Sequence, residues 1–191
     1  MTQDASTATA ILRDEHQLIL QVAGVLDAIV SDGATPDSLD FDSIEECVAF
    51  FRLFADACHH GKEEDLLFPE LEAHGLPRED GPIAVMLYEH QVGRAFVRGM
   101  AESVAGARTG DAAAVAALLE HARGYIDLIR AHIDKEDNVL FEMADNMVVG
   151  ASCTRLCADY DVVCGRRFEG RTVEQLESMA AALTALYPGG S

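Results

Sequence analysis

Tryptophan is absent from this 191-residue chain, and basic residues are scarce. Only 14 Lys and Arg stand against 33 Asp and Glu, a net charge of -19. Such a surplus repels phosphate backbones and anionic bilayer surfaces, so neither nucleic acid nor a membrane is expected as a partner. Its plainest consequence is solubility. No run of about 18 apolar residues occurs, so no bilayer-spanning helix is expected. The opening MTQDASTATA has neither a basic stretch nor an apolar one, and no secretory signal is visible. Cysteine is limited to Cys47, Cys58, Cys153, Cys157 and Cys164. An odd count without a secretion signal argues against a disulfide framework and for reduced thiols in a cytoplasm.

Strand-like alternation is also hard to find. What is present is an apolar content of 49%, enough to bury a core, arranged at spacings of three and four. Ile11, Leu12, Ile19, Val22, Leu26 and Ile29 trace one helical stripe over about residues 7–31. SDGATPDSLDFD, with Gly33 and Pro36, reads as a loop. Ser43 and Glu46 form a capping box that predicts a second helix from about Ile44, kinked or briefly broken at Pro69 and fading near Gly75. Asp80-Gly81-Pro82 opens a third helix, expected to end near Gly106. Asp111 caps a fourth, expected to reach about Val149 and stop at Gly150. In the tail, Thr172 and Gln175 make another capping box, so two shorter helices should meet near Gly165–Gly170, followed by a loose PGGS end. Four long helices with short connections predict an all-α, up-down-up-down bundle over residues 7–149. Residues 150–191 would form a helical extension of the same domain, packed outside it.

The chain repeats itself in one place. Residues 59–68 read HHGKEEDLLF and residues 132–141 read HIDKEDNVLF. Aligned without gaps, His59 faces His132, Lys62 faces Lys135, Glu63 faces Glu136 and Phe68 faces Phe141. Each copy holds His-x-x-x-Glu. Four helical residues advance about 400° and about 6 Å, which puts imidazole and carboxylate on one face. Together they can reach one metal ion, or the carboxylate can bridge two. Bundle cores build di-metal carboxylate sites in this way. Mixed imidazole and carboxylate donors suit iron, with zinc or manganese less favoured.

The other two helices each offer one His within an apolar stripe. His16 shares a face with Leu12, Ile19 and Ala23, and His90 with Ile83, Met86, Leu87 and Val97. A lone His there is more often a hydrogen-bonded core residue than a ligand. Two such residues plus two His-x-x-x-Glu pairs, one contribution per helix, favour a metal site. His60 points about 100° from His59 and can reach a second metal ion or a neighbouring helix. Glu64 and Asp137 compete with Glu63 and Glu136 as the carboxylate ligands. His74 and His121 are expected at the surface or near bundle ends.

Tyr125 lies seven residues before His132 on the same face, where its hydroxyl could donate a proton to a bound ligand or simply bond a backbone carbonyl. Glu89 and Arg94 flank His90. Arg94 either pairs with a carboxylate near the metals or, more commonly, makes a surface salt bridge. Lys62 and Lys135 are expected to be solvated partners of nearby acids. Cys153, Cys157 and Cys164 share a helix face with Leu156, Tyr160 and Val163, which favours buried small hydrophobes over reactive thiols.

Four segments in order, DEHQLIL around His16, HHGKEEDLLFPEL around His59, YEHQVGRAF around His90 and HIDKEDNVLFEMA around His132, resemble the hemerythrin-like family, the HHE cation-binding domain. The resemblance implies a non-haem centre of two iron ions, oxo- or hydroxo-bridged. By carry-over, His16, His59, His90 and His132 would be terminal ligands, Glu63 and Glu136 bridging ones, and His60 an additional ligand. The family's oxygen carriers have a second His four residues after the third-helix ligand, where this chain has Arg94. They also use a carboxylate five residues after the last His. Asp137 stands there, but Glu136 repeats the Glu63 spacing. These departures lead away from simple oxygen carriage. The resemblance implies an oxidoreductase that reacts with hydrogen peroxide, nitric oxide or both, in catalase-like or nitric oxide peroxidase chemistry. The alternatives are reversible oxygen or nitric oxide binding, or iron sensing, without turnover, and a structural metal site with no exchangeable ligand.

Overall fold

The computed structural model describes residues 7–31 and 38–188. The loop expected around Gly33 and Pro36, and the last residues of the PGGS end, lie largely outside them. The described residues are all helical apart from turns and one isolated bridge between Phe168 and Arg171. Six helices follow in order. They are α1 (Ala10–Ile29), α2 (41–73), α3 (Pro82–Arg108), α4 (112–147), α5 (Ala151–Cys164) and α6 (Val173–Leu186). The arrangement is consistent with a hemerythrin-type helical bundle. No helix among the described residues is long and apolar enough to cross a membrane.

Helix α1 buries Leu12, Ile19, Val22, Leu26 and Ile29, the expected stripe, while Ile11 is only partly buried. Helix α2 starts earlier than the Ser43–Glu46 box predicts. Its cap is Asp40, whose carboxylate accepts from the Ser43 amide at 3.1 Å and from the Ser43 hydroxyl at 2.8 Å. Ser43 is thereby used backwards, as a donor to the cap, and is itself buried. Tyr187 also donates to Asp40, at 2.8 Å, fastening the chain's last helix to the start of α2.

Pro69 does not break α2. The helix widens into π-helical turns at Phe51–His60 and Glu63–Leu67, then resumes as α-helix at Phe68–Ala73, with Pro69 in the first turn of the resumed register. There its missing N–H coincides with the shift from i→i+5 to i→i+4 bonding. Helix α4 does the same at the matching place. Its π turn runs over Glu136–Leu140, between Ala112–Lys135 and Phe141–Met147. Phe68 N–H bonds Glu63 O in one copy, and Phe141 N–H bonds Glu136 O in the other.

The remaining boundaries move by small steps. Asp111 caps α4 through the amides of Ala113 and Ala114. Helix α3 runs on to Arg108, and α4 ends at Met147 rather than near Val149. Gly150, at φ 60, opens α5 instead of closing α4. Thr172 and Gln175 form the expected capping box of α6.

Two apolar clusters flank a polar layer. The larger contains Ile19, Phe54, Cys58, Val97, Ile126 and Ile133. The smaller contains Leu12, Leu67, Phe68, Met86, Leu140 and Phe141. On each of α1 to α4 the chain passes from one cluster to the other through a buried His or Glu. The tail is part of this packing. Leu176, Ala180 and Leu183 of α6 join the larger cluster, and Leu156 and Tyr160 of α5 the smaller.

Helices α3 and α4 approach closely beside their connecting turn, where a Cβ added to Gly106 would lie 2.8 Å from Ala114 Cβ. Glycine to alanine in a helix ordinarily gains up to about 1 kcal/mol. Gly106→Ala should reverse that sign and cost about 1–3 kcal/mol through overpacking. Gly61→Ala, where the nearest atom would be 4.0 Å away, should not. Urea denaturation of the two variants at equal metal content checks the contrast.

Candidate metal centre

Seven side chains converge in the polar layer: His16, His59, His60, Glu63, His90, His132 and Glu136. All are buried, with Glu63, His16 and Glu136 fully so. They form two groups whose donor atoms lie within 4.8 Å of one another, one of His16, His59, Glu63 and Glu136, the other of His60, Glu63, His90 and His132. Glu63 belongs to both. Its Oε1 lies 3.5 Å from His59 Nε2 and its Oε2 3.4 Å from His90 Nε2. Glu136 Oε2 lies 3.2 Å from His16 Nε2 and 3.3 Å from His132 Nε2. The two carboxylates therefore stand between pairs of imidazoles from different helices.

These atoms lack the hydrogen bonds that buried polar groups require. Both oxygens of Glu63 and of Glu136, the Nε2 atoms of His16, His90 and His132, and both ring nitrogens of His60 have no hydrogen-bond partner. A buried polar atom left unpaired costs about 1–3 kcal/mol, so a set aimed at one volume calls for a partner there. Imidazole and carboxylate donors fit a first-row transition metal cation.

The outer nitrogens are all satisfied, and in one pattern. His59 Nδ1 donates to Glu15 at 2.8 Å, His90 Nδ1 to Glu64 at 2.7 Å, His132 Nδ1 to Glu89 at 3.0 Å and His16 Nδ1 to Asp137 at 2.9 Å. Each bond joins adjacent helices, and together they close a ring: α1 to α2, α2 to α3, α3 to α4, α4 back to α1. In the neutral ring, holding the proton on Nδ1 leaves Nε2 as a lone pair aimed inward. Each carboxylate has a cation behind it. Lys62 pairs with Glu15, Lys135 with Glu89, Arg94 with Glu64, and Arg13 with Asp137.

This geometry corrects several expectations. Glu64 and Asp137 are turned towards the imidazole of the next helix, whereas Glu63 and Glu136 point inward. Lys62 is not solvated: it is 0% exposed, and Glu15 keeps it charged against the pull of burial. Lys135 is partly exposed but also serves a carboxylate. Arg94 makes no plain surface bridge. It donates to Asp56 at 2.7 Å and to Glu64 at 2.8 Å. The cysteines of α5 are half-buried, and the buried stripe of that helix is Leu156, Tyr160 and Val163. His74 is exposed, as expected, while His121 lies partly buried over Gly99. Glu15 and Asp56 were not anticipated as parts of the site. The signal for Glu15 is the pair DEHQ at 14–17 and YEHQ at 88–91, in which a Glu precedes each His.

One side of the layer opens outward. A cavity of about 340 Å³ reaches His60, walled by Val48, Phe51, Val97 and Tyr125, with Asp56 and Arg94 beside them. Tyr125 packs its ring on Phe51 at 4.5 Å.

Electrostatics follow from burial and charge. Burial lowers His16, but the bond to Asp137 and the nearby Glu136 and Glu63 outweigh it and raise it to about 9. His90 is likewise raised to about 9, with Glu63 and Glu64 overcoming burial. Burial and the neighbouring His90 push His60 well below its ordinary value, so it is neutral. Glu63 is held well below the carboxylate range by His59 and His90 despite burial. In the metal-free chain, protons on His16 and His90 thus balance the buried carboxylates. A raised imidazole stabilises the fold fully below about pH 6.5 and loses that contribution as pH rises through about 9. Metal uptake at pH 7 should therefore release about two protons, and affinity should strengthen up to about pH 9. Calorimetric titration in buffers of different ionisation enthalpy reads this directly, alongside a metal-free melting temperature that falls over the same range.

Fold and donor set thus define a helical protein with a buried cation-binding layer. In agreement, residues 7–144 match the sequence profile of the hemerythrin HHE cation-binding domain, and the chain belongs to that family. No curated protein and no solved structure gave a match to the chain.

Proposed function

We propose that this chain is a non-haem di-iron protein that reacts with hydrogen peroxide, nitric oxide or both. The observation that carries the reading is that two buried donor groups share Glu63, and one of them meets an apolar cavity. In this reading α1 to α4 form an up-down-up-down bundle. His16, His59, His60, His90 and His132, with the carboxylates of Glu63 and Glu136, would hold the two ions. When bound, the iron ions supply Lewis acidity and one-electron redox chemistry at that shared site.

The chain's own groups shape what reaches them. Val48, Phe51 and Val97 give the cavity an apolar wall that suits a small molecule, with Arg52, Asp56, Arg94 and Arg98 also among its lining residues. Arg94 holds Asp56 and Glu64 in place, and Asp56 lies 3.5 Å from His60 Nδ1. Asp56 is brought down to about 2, burial being outweighed by His60 and Arg94, so it stays ionised. The Tyr125 phenol is pushed up by burial and by Asp56, keeps its proton, and is the candidate donor to a ligand in the cavity. A cytoplasmic setting completes the reading, supported by an odd set of cysteines.

Iron-reconstituted protein should carry two irons per chain, absorb in the near ultraviolet, and evolve oxygen from peroxide or consume nitric oxide over repeated turnovers. Stoichiometric reaction followed by bleaching, or reversible spectral change without turnover, would replace catalysis with a binding or sensing role. Silence in the spectrum with zinc bound would sink the iron assignment. Val97→Phe, which fills the cavity, should keep the iron and lower kcat/KM about tenfold or more, about 1.4 kcal/mol of barrier. Tyr125→Phe should keep the iron and lower kcat about a hundredfold if the phenol supplies the proton.

A further inference from the structure

The cavity beside His60 differs from the rest of the molecule in the sign of its charge. The chain carries 33 acids against 14 Lys and Arg, yet Arg52, Arg94 and Arg98 line this cavity against a single acid, Asp56. A concave apolar wall focuses the field of such a cluster, so an anion repelled elsewhere is drawn here. The three cations are not equally available. Arg94 is committed to Asp56 and Glu64. Arg52 is held by both oxygens of Glu169, in the turn between α5 and α6. Arg98 is exposed, and among the described residues no carboxylate lies within ion-pair distance of its guanidinium.

Helical spacing sets the lining groups in order. Arg94, Val97, Arg98 and Ala101 recur at three and four on α3, so one face of that helix turns to the cavity. From Gly93 to Ala101 that face is about 12 Å long. His60 and Tyr125 are buried at one end, and Val48, Phe51 and Val97 are buried along the wall. The Arg52 side chain is 50% exposed, and Arg98 is exposed beside it on the neighbouring helix. The cavity thus has an apolar interior and a cationic rim.

We propose that this cavity binds an amphipathic organic acid of medium chain length. Its carboxylate sits on Arg98 at the rim, and its apolar body runs along Val48, Phe51 and Val97 towards His60. A guanidinium offers a carboxylate two parallel N–H donors, and Arg98 can do so without breaking an existing pair. The volume of about 340 Å³ is near the lower end of ligand pockets, which span about 300–1,000 Å³, and suits one short hydrocarbon chain. Acetate has the head without the body, and an alkylammonium has the body with the wrong sign. A molecule held there stands between solvent and His60. It would therefore compete with peroxide or nitric oxide, a consequence that rests on the function proposed above, whereas the binding does not.

The test is calorimetric titration of the full-length protein, as isolated, with octanoate, octanol, octylammonium and acetate. Octanoate should bind at least about tenfold more tightly than octanol, as a charge-assisted hydrogen bond implies, and octylammonium and acetate should bind more weakly than octanoate. Added salt should weaken octanoate and leave octanol within about twofold. Arg98→Glu should weaken octanoate at least about tenfold and leave octanol within about twofold. Arg130→Glu makes the same change of net charge outside the cavity and should leave octanoate within about twofold. Val97→Phe, which fills the interior, should weaken octanoate and octanol alike. Octanoate binding no tighter than octanol would overturn the proposal. So would equal losses in Arg98→Glu and Arg130→Glu, or undiminished binding in Val97→Phe. Iron enters none of these measurements, so their failure leaves the metal reading standing, and the failure of that reading leaves them standing.

Discussion

A carboxylate set against the outer nitrogen of each of four buried imidazoles is the contact on which the rest of the molecule depends. The polar layer puts four such imidazoles, His60 and two carboxylates between two apolar clusters. An ion there without a partner costs several kcal/mol, and removing one partner of a buried pair costs about 3–5 kcal/mol. The chain meets that cost by pairing the charges in steps, outward in three cases and with the fully buried Lys62 in the fourth. An inner imidazole bonds a carboxylate nearer the surface, and that carboxylate bonds an Arg or Lys. The same steps set the tautomer, because a proton committed to Glu15, Glu64, Glu89 or Asp137 is not on Nε2. Since every one of these bonds crosses from one helix to the next, the charge relay also joins the four long helices. Stability and donor geometry come from the same contacts.

The π turns follow from this demand. Consecutive residues Glu63 and Glu64 must do different work, one pointing into the layer and the other towards His90 on α3. Glu136 and Asp137 face the same requirement towards His16 on α1. The wider turn begins at Glu63 in one copy and at Glu136 in the other. These two π turns give up regular i→i+4 bonding where two adjacent carboxylates need separate targets, a setting in which such bulges are often found.

Much of this was legible in the sequence, and the reasons for the rest are specific. Apolar spacing located α1 and α3, and Gly81-Pro82, Asp111 and the Thr172–Gln175 box marked helix starts, because those signals act within a single turn. The family assignment rested on four segments in order, and the profile match covers them. Spacing also singled out the seven residues that the fold brings together. It did not show that Lys62 is buried, that Asp40 rather than Ser43 caps α2, or that Pro69 is absorbed by a π turn. Each depends on a neighbour distant in sequence or on a change of helical register.

The repeat makes the two halves of the layer nearly equivalent, so its exceptions are informative. In the matching positions, Ile133 stands for His60, Ile129 for Asp56 and Leu20 for Arg94. All three polar members of these pairs lie together on one side, and the cavity opens there. A symmetric layer of carboxylates and imidazoles would hold two cations in like surroundings and give a ligand no reason to choose between them. Replacing three apolar residues by His, Asp and Arg on one side gives one donor group an added imidazole and a fixed charge pair. It also gives that group a path from the surface. The conserved half of the pattern within the chain builds the layer, and the broken half decides where a small molecule can meet it.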